Sequence, residues 1–427
     1  MSEELAVILG NTLAGAVTRP RGGRLRFDYD ENYGAAPGAT PLSVSMPTSV
    51  RSHFDRVVAP WLWGLLPDSP AVLARWSREF HVSPNPFALL STPIGQDCAG
   101  AVRFASPGEV SQVMADRGSV TWLTEEEVER RLRELREDAT AWLGREFTGQ
   151  FSLAGAQAKT ALLYKDGRWG VPSGSEATSH ILKPAVAGLD DHDLNEHLCL
   201  DAAHRAGLVV ARTRVARFGQ ESAIVVDRYD RRTVGGRLVR IHQEDACQAL
   251  GVHPERKYQN EGGPGPREVA RLLREVMPPR AADDAVWRFF DALAWNWLIA
   301  GTDAHAKNYS LLLAGSDVRL APLYDIACAL PYGIHERKLR FAMKIGGDYR
   351  VYPDRNVWDV AARDLGVDLD TAIERVLALA RRTPDAFADA ARAPDVATLD
   401  RPLPDRLVEL VADRVKRCVA VLPAGAL

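Results

Sequence analysis

Asp303 and Asn308 stand five positions apart in "DAHAKNYSLLL", and Asp325 follows shortly in "APLYD". Polar side chains beside a core cost free energy unless they are hydrogen bonded or bound to a cation. Here they come straight after "AVWRFFDALAWNWLIAG", one of the most hydrophobic runs of the chain. An aspartate can take the proton of an attacking hydroxyl. An asparagine oxygen with a second carboxylate, leaving positions for phosphate oxygens, suits Mg²⁺, which seldom takes an all-protein cage. The D-x-x-x-x-N spacing is that of a kinase catalytic loop, with Asp303 as base and Asn308 and Asp325 as metal ligands. Each residue alone is equally what a turn uses, so the surrounding elements must decide.

Those elements come in a telling order. "KTALLY", the turn "KDGR" and "WGVPS" predict a hairpin, and "SHILKPAV" a third strand carrying Lys183. "LNEHLCLDAAHRAGL" predicts a helix carrying Glu196, and "VVARTRVARF" with "AIVVDRYDRR" a further hairpin. Helices fill most of the remainder. "YSLLL", "GSD" and "VRLAP" form one more hairpin that returns Asp325 beside Asn308. Strands, a Lys strand, a Glu helix, two strands, helices and then the polar loop is the layout of a protein-kinase nucleotide site, in which Glu196 orients Lys183 toward phosphates.

Upstream, "LRFDY", "LSVSM" and "GAVRF" read as short strands, and "VVAPWLWGLLPDS" as an apolar helix. "TEEEVERRLRELREDATAWLGREF" predicts a helix with Thr124 and Glu127 as a capping box. The expected fold class is α+β: a small, mostly β N-terminal domain over 1–120, a connecting helix over 121–150, and a bilobal kinase-like domain. In that domain 151–230 is the N-lobe and 231–427 a largely helical C-lobe. The Ala-, Arg- and Asp-rich stretch from about 378 to 401 reads as a loosely ordered connection.

Composition bounds the rest. With 427 residues the chain is too long for a single core, and 46% hydrophobic with 26% charged residues is ordinary for globular domains. A net charge of −3 offers no global field for nucleic acid. Five cysteines without a CxxC pair argue against a zinc ribbon or a disulfide scaffold and for a reducing, cytoplasmic setting. No apolar run is long enough to span a membrane. Only eight of the 53 basic residues are Lys, so Lys159, Lys183 and Lys307 are candidates for sites that need a compact charge.

"FSLAGAQAKTALL", "SHILKP", "NEHLCLDAA", "DRYDR", "RIHQEDACQALG", "KYQNEGGPG" and "GTDAHAKNYSLL" resemble, in that order, the motifs of the HipA serine/threonine kinases. "LWGLLPDS" and "IGQDCAGAVRF" look like that family's N-terminal domain, so the resemblance spans nearly the whole chain. It implies an ATP- and Mg²⁺-dependent protein kinase, the toxin of a toxin–antitoxin pair. Such toxins modify aminoacyl-tRNA synthetases, slow translation and induce dormancy, and a small DNA-binding antitoxin (HipB-like) neutralises them and recruits them to operator DNA. Carried over by motif, Asp303 is the base, Asn308 and Asp325 hold Mg²⁺, and Lys183 contacts the ATP phosphates. Ala154, Gly155, Ala156, Gln157, Ala158 and Lys159 form the phosphate loop, Asp227, Arg228 and Tyr229 the adenine hinge, and His305, Lys307 and Tyr324 further nucleotide contacts. Ser152 is the implied autophosphorylation site. Departures are Asp227 and Ala158, each where Glu is common, Ala304 where Gly is common, and "YDIA" in place of DFG. Two rivals are a kinase-shaped corepressor that acts by binding the antitoxin, and a small-molecule phosphotransferase. Complete catalytic residues weigh against the first, and the extra N-terminal domain against the second.

Overall fold

Apolar residues near the N-terminus, continuous over Leu5–Leu9, close an antiparallel five-stranded sheet. Its strands are β1 (Glu3–Leu9), β2 (Thr12–Arg19), β3 (Arg26–Tyr29), β4 (Ser52–Phe54) and β5 (Val102–Ala105), in the order β4-β3-β2-β1-β5. The computed structural model describes residues 3–20, 23–145, 149–186, 188–354 and 356–422. Helices Asp55–Gly64 and Pro70–Glu79 bury Trp61 and Trp76 in the same core as Phe27 and Phe104. "LSVSM" makes no strand, only a Ser43–Met46 bridge. The Tyr29 hydroxyl intervenes there, accepting from Leu42 N at 2.7 Å and donating to Met46 O at 2.6 Å.

The second sheet has six antiparallel strands: β6 (Ser119–Leu123), β7 (Thr160–Lys165), β8 (Arg168–Ser173), β9 (His180–Pro184), β10 (Thr213–Phe218) and β11 (Glu221–Asp227), in the order β10-β11-β9-β7-β8-β6. The boundary expected at 120 falls inside β6, which pairs with β8. The helix after it has the capping box, Thr124 with Glu127, but spans only Glu125–Glu137. It stops because the Asp138 carboxylate accepts from Thr140 N and Oγ1 and closes a turn. Residues 146–148 of the expected helix lie outside the described residues. Instead of serving as a bare connector, the helix lays Val128 and Leu132 over the sheet against Leu162, Leu182 and Val225.

The C-lobe holds a hairpin, β12 (Arg231–Val234) with β13 (Arg237–Arg240), and a three-stranded sheet of β14 (His242–Asp245), β15 (Ser310–Ala314) and β16 (Asp317–Leu320). Its helices share one core in which Phe289, Trp295, Trp297 and Trp358 are buried. The stretch from 378 to 401 is not loosely ordered. Helix Leu369–Ala391 runs through most of it and a short helix, Pro394–Ala397, follows. Alanine costs least in a helix, and Leu379, Ala380, Phe387 and Ala390 fall on one buried face. All five cysteines are buried free thiols.

The N-terminal domain is fastened to the kinase-like part through Asp97, whose side chain is fully buried. Its Oδ1 accepts from Arg231 Nη2 at 2.9 Å and Arg240 Nη2 at 3.0 Å. Its Oδ2 accepts from Thr178 Oγ1 at 2.6 Å, with Arg228 Nη1 at 3.4 Å. Asp230 balances the arginines from the other side and accepts from Gly100 N at 2.7 Å. Removing one member of a buried ion cluster leaves the others uncompensated, which typically costs about 3–5 kcal/mol. Asp97→Asn should therefore lower the unfolding free energy by about that amount, read as an earlier midpoint in urea.

Candidate active site

The apolar helix Pro279–Ile299 supplies the floor. It ends at Ala300, which takes a left-handed conformation (φ 55°) and donates its N–H to Asn296 O. Gly301 follows because there is no room for more: a Cβ there would lie 2.1 Å from Asn296 Oδ1. The chain then turns out to Asp303, whose Oδ1 accepts from the Tyr258 hydroxyl at 2.9 Å. The Asp303 carboxyl faces the cleft but is ringed by protein, and burial raises its pKa while the Tyr258 hydrogen bond works the other way. Asn308 Nδ2 donates to Asp303 O at 2.9 Å and lies 3.5 Å from Asp325 O, so one amide staples the two loops.

Asp325 returns on the far side of the β15–β16 hairpin with φ 59°. A left-handed non-glycine residue is strained and persists only where its surroundings over-determine it. Here Lys183 helps to fix it: Nζ lies 2.7 Å from Asp325 Oδ1 and 2.7 Å from Glu196 Oε1. Burial alone would disfavour charge on these groups. The attraction overrides it for Lys183, held above the usual lysine range, and for Asp325, held below the usual carboxylate range. Glu196, with Oε2 buried and unpartnered, is instead raised by burial despite Lys183.

The loop from Ser152 to Lys159, expected to meet phosphates, is seated on the N-terminal domain. Ser152 is wholly buried, donating from Oγ to Leu65 O at 2.8 Å and from N to Asp97 O at 3.0 Å. Gly155 needs its freedom (φ 100°) and accepts from Asp68 N at 3.0 Å. Lys159 crosses beneath, donating to Ala154 O at 2.7 Å with Nζ 4.7 Å from the Trp142 ring centre. Burial, reinforced by Lys183, pulls its pKa down to about 7. Ala154, Gly155, Ala156, Gln157 and Lys159 line a cavity of about 640 Å³ together with Lys183, Glu196, Asp303, Asn308 and Asp325.

Ala158 does not join them, because it packs against the N-terminal core. The triplet expected as the hinge, Asp227, Arg228 and Tyr229, lies at the cavity wall, but its side chains divide: Asp227 pairs with His180 at 3.1 Å, and Arg228 turns its guanidinium into the Asp97 cluster. Tyr229 donates to Gln243 Oε1 and lies 5.5 Å from the Tyr324 ring. Tyr324 in turn donates to Lys307 O at 2.6 Å, and His305 is buried beside Tyr258. Ser152 is not at the cavity surface.

Sequence reasoning assigned no role to Asp68, Lys257, Tyr258, Asp97 or Trp142. Asp68 accepts from Lys257 Nζ at 2.7 Å and is also paired with Lys307. A signal existed: Lys257 is one of the eight lysines, and "LLPDS", "QDC" and "KYQ" lie in stretches that carry the resemblance.

Residues 151–388 match the family described as HipA-like C-terminal domain, and residues 5–105 match the HipA N-terminal domain. The chain belongs to the HipA family. A Sinorhizobium fredii relative named "Putative kinase Y4mE" is 34% identical over 95% of this chain and 96% of its own length. The Shewanella oneidensis "Serine/threonine-protein kinase toxin HipA" is 30% identical, covering 82% of this chain and 80% of its own. In the solved complex of Shewanella oneidensis HipA, HipB and operator DNA, one chain superposes with a TM-score of 0.82 at 25% identity, covering 97% of both chains. The fold is thus that of HipA, a kinase-like domain with a separate N-terminal part.

His305 gives this HipA-like site a measurable acid sensitivity. Burial pulls its pKa down to about 3, whereas an unfolded imidazole titrates near about 6.5. The unfolded state therefore binds the extra proton between these values, and the stability that neutral His305 contributes is lost as pH falls from about 6.5 toward 3. Unfolding of wild type and His305→Asn, compared from pH 7 to 4.5, should show wild type losing up to about 1.4 kcal/mol per pH unit relative to the variant.

Proposed function

We propose that this HipA-family chain is an ATP- and Mg²⁺-dependent serine/threonine-protein kinase and the toxin of a toxin–antitoxin pair. One observation carries the reading: Asp303, Asn308, Asp325 and the Lys183–Glu196 pair, from four separate segments, line a single cavity. Asn308 and Asp325 would hold the metal. Among the described residues no three His, Cys, Asp or Glu side chains form a closed metal cage, and two oxygen donors beside open space fit Mg²⁺ with phosphate ligands. Bound Mg–ATP supplies the phosphoryl group and screens its charge.

The chain's own residues do the rest. Tyr258 holds Oδ1 of Asp303, which leaves Oδ2 to accept the proton of a serine or threonine hydroxyl. Glu196 and Asp325 fix Lys183 as a point charge for the phosphates. The small residues of the phosphate loop let the backbone approach closely.

The Shewanella oneidensis complex contains HipB and operator DNA. That supports a HipB-like DNA-binding antitoxin as partner, with DNA reached mainly through it. An aminoacyl-tRNA synthetase is the substrate expected of the family, and the cytoplasm the setting. Among the described residues no helix is long and apolar enough to cross a membrane.

Ser152 is the proposed autophosphorylation site, and its hydroxyl is reachable only once the loop leaves its seat. A phosphoserine adds about −1.5 to −2 charges, which have no place against Leu65 O and the Asp97 backbone carbonyl. The modified loop would stay out, and ATP binding would be lost.

Three outcomes are expected. Phosphate transfer by the purified chain, measured with ATP and magnesium, should fall about 100- to 10,000-fold in Asp303→Asn and comparably in Asp325→Ala; an active Asp325→Ala protein would remove the metal assignment. Tyr258→Phe should move the acid limb of the rate profile to higher pH, because Asp303 loses the hydrogen bond that lowers its pKa; an unmoved limb would mean Asp303 is not the titrating base. Mass spectrometry after incubation with ATP should place phosphate on Ser152, and label only elsewhere would rule that site out.

A further inference from the structure

Asp68 belongs to the N-terminal domain, in the turn between helices Asp55–Gly64 and Pro70–Glu79, yet it lines the nucleotide-sized cavity. Its carboxylate lies between two cleft ammoniums, 2.7 Å from Lys257 Nζ and in contact with Lys307 Nζ. Its backbone N–H holds Gly155 O at 3.0 Å, and Leu65, three residues earlier, accepts the Ser152 hydroxyl. One short turn thus grips the phosphate loop and two lysines of the opposite wall. The two domains are already fastened by the Asp97 cluster, so the placement of Asp68 in the cleft calls for a different explanation. Burial would raise its pKa, but Lys307 and Lys257 hold it near 2, so it stays charged at any working pH.

Resting on the kinase reading, we propose that Asp68 is a positioning residue: it fixes Lys307 and Lys257 at the phosphate end of the nucleotide site and makes the N-terminal domain part of the catalytic centre. Without its charge, two like-charged ammoniums close together repel each other. Each is then free to grip the triphosphate of a nucleoside triphosphate in geometries that do not lead to transfer. Binding should therefore not suffer, whereas turnover should. That pattern separates positioning from mere support of the fold, which would lower both together.

The test uses the full chain as wild type, Asp68→Asn and Asp68→Glu, with transfer kinetics and Mg–ATP affinity by calorimetry. Asp68→Asn should lose about 10- to 100-fold in kcat while binding Mg–ATP about two- to tenfold more tightly. Asp68→Glu should recover part of the rate. Unchanged kcat in Asp68→Asn, or affinity and thermal stability falling in step with the rate, would overturn the inference. Should Asp68→Asn not fold, Asp68→Glu decides: a severalfold lower kcat with unchanged KM is expected, and a wild-type rate overturns it. A wild type that binds Mg–ATP but transfers nothing sinks the kinase reading. Calorimetry then judges Asp68 alone, tighter binding by Asp68→Asn upholding its role and unchanged or weaker binding overturning it.

Discussion

A single carboxylate with no access to water, Asp97, faces three guanidiniums, and the geometry of the cleft depends on that cluster. Ionised groups leave water only at great cost, recovered when geometry and hydrogen bonds are nearly complete. Here they are: Arg228 and Arg231 also donate to Cys98 O at 2.9 and 3.1 Å, and Arg240 donates to Ser175 O at 2.8 Å. Arg228 directly follows strand β11, so the charge that fastens the N-terminal domain also fixes the strand-to-lobe crossover. Asp97 shapes the loop at Ser152 as well, since its own carbonyl accepts from Ser152 N. An apolar interface would hold two domains together, but it would not set these backbone segments in register with one another.

The strain in the cleft is consistent with such a frame. Asp325 and Ala300 both hold left-handed backbone conformations. The first is braced by Lys183 and by the hairpin behind it, the second by the buried end of the Trp295 helix. Three polar side chains that would be liabilities beside a core are engaged: Asn308 across two loops, Tyr324 on the Lys307 carbonyl, Tyr258 on Asp303. What remains open is the cavity itself, whose wall includes the carboxylates of Asp303 and Asp325.

Much of this was legible in the sequence because it is local or ordered along the chain. The strand with Lys183, the helix with Glu196 and the hairpin between Asn308 and Asp325 follow from periodicity, and their order brings these side chains to one cavity. The capping box of Thr124 and Glu127 was equally visible. What was hidden depends on partners far apart. The Asp68–Lys307 pair spans 239 positions and the Arg240–Asp97 pair 143, and no pattern within either segment announces the other. Ala158 was misplaced because a loop of small residues does not reveal which of them faces the cavity. The 378–401 stretch failed for the opposite reason: polar, alanine-rich composition resembles a linker unless the buried face of Leu379, Ala380, Phe387 and Ala390 is traced at helical spacing.

The loop from Phe151 to Gly155 follows from the same frame. Ser152 and Gly155 are held by Leu65 and Asp68, and Phe151 and Leu153 on either side of the serine are buried in the N-terminal core. Lifting the serine into solvent would break those hydrogen bonds and expose both apolar side chains, each contributing about 1.5–3 kcal/mol by its burial. Partial release gains little, because the serine comes free only when its neighbours leave the core. The loop is therefore either seated, with its backbone at the cavity and its serine shielded, or released, with the serine accessible and the cavity wall missing. A complete cavity wall and an accessible Ser152 hydroxyl therefore exclude one another, and what separates the two states is a contact with the N-terminal domain.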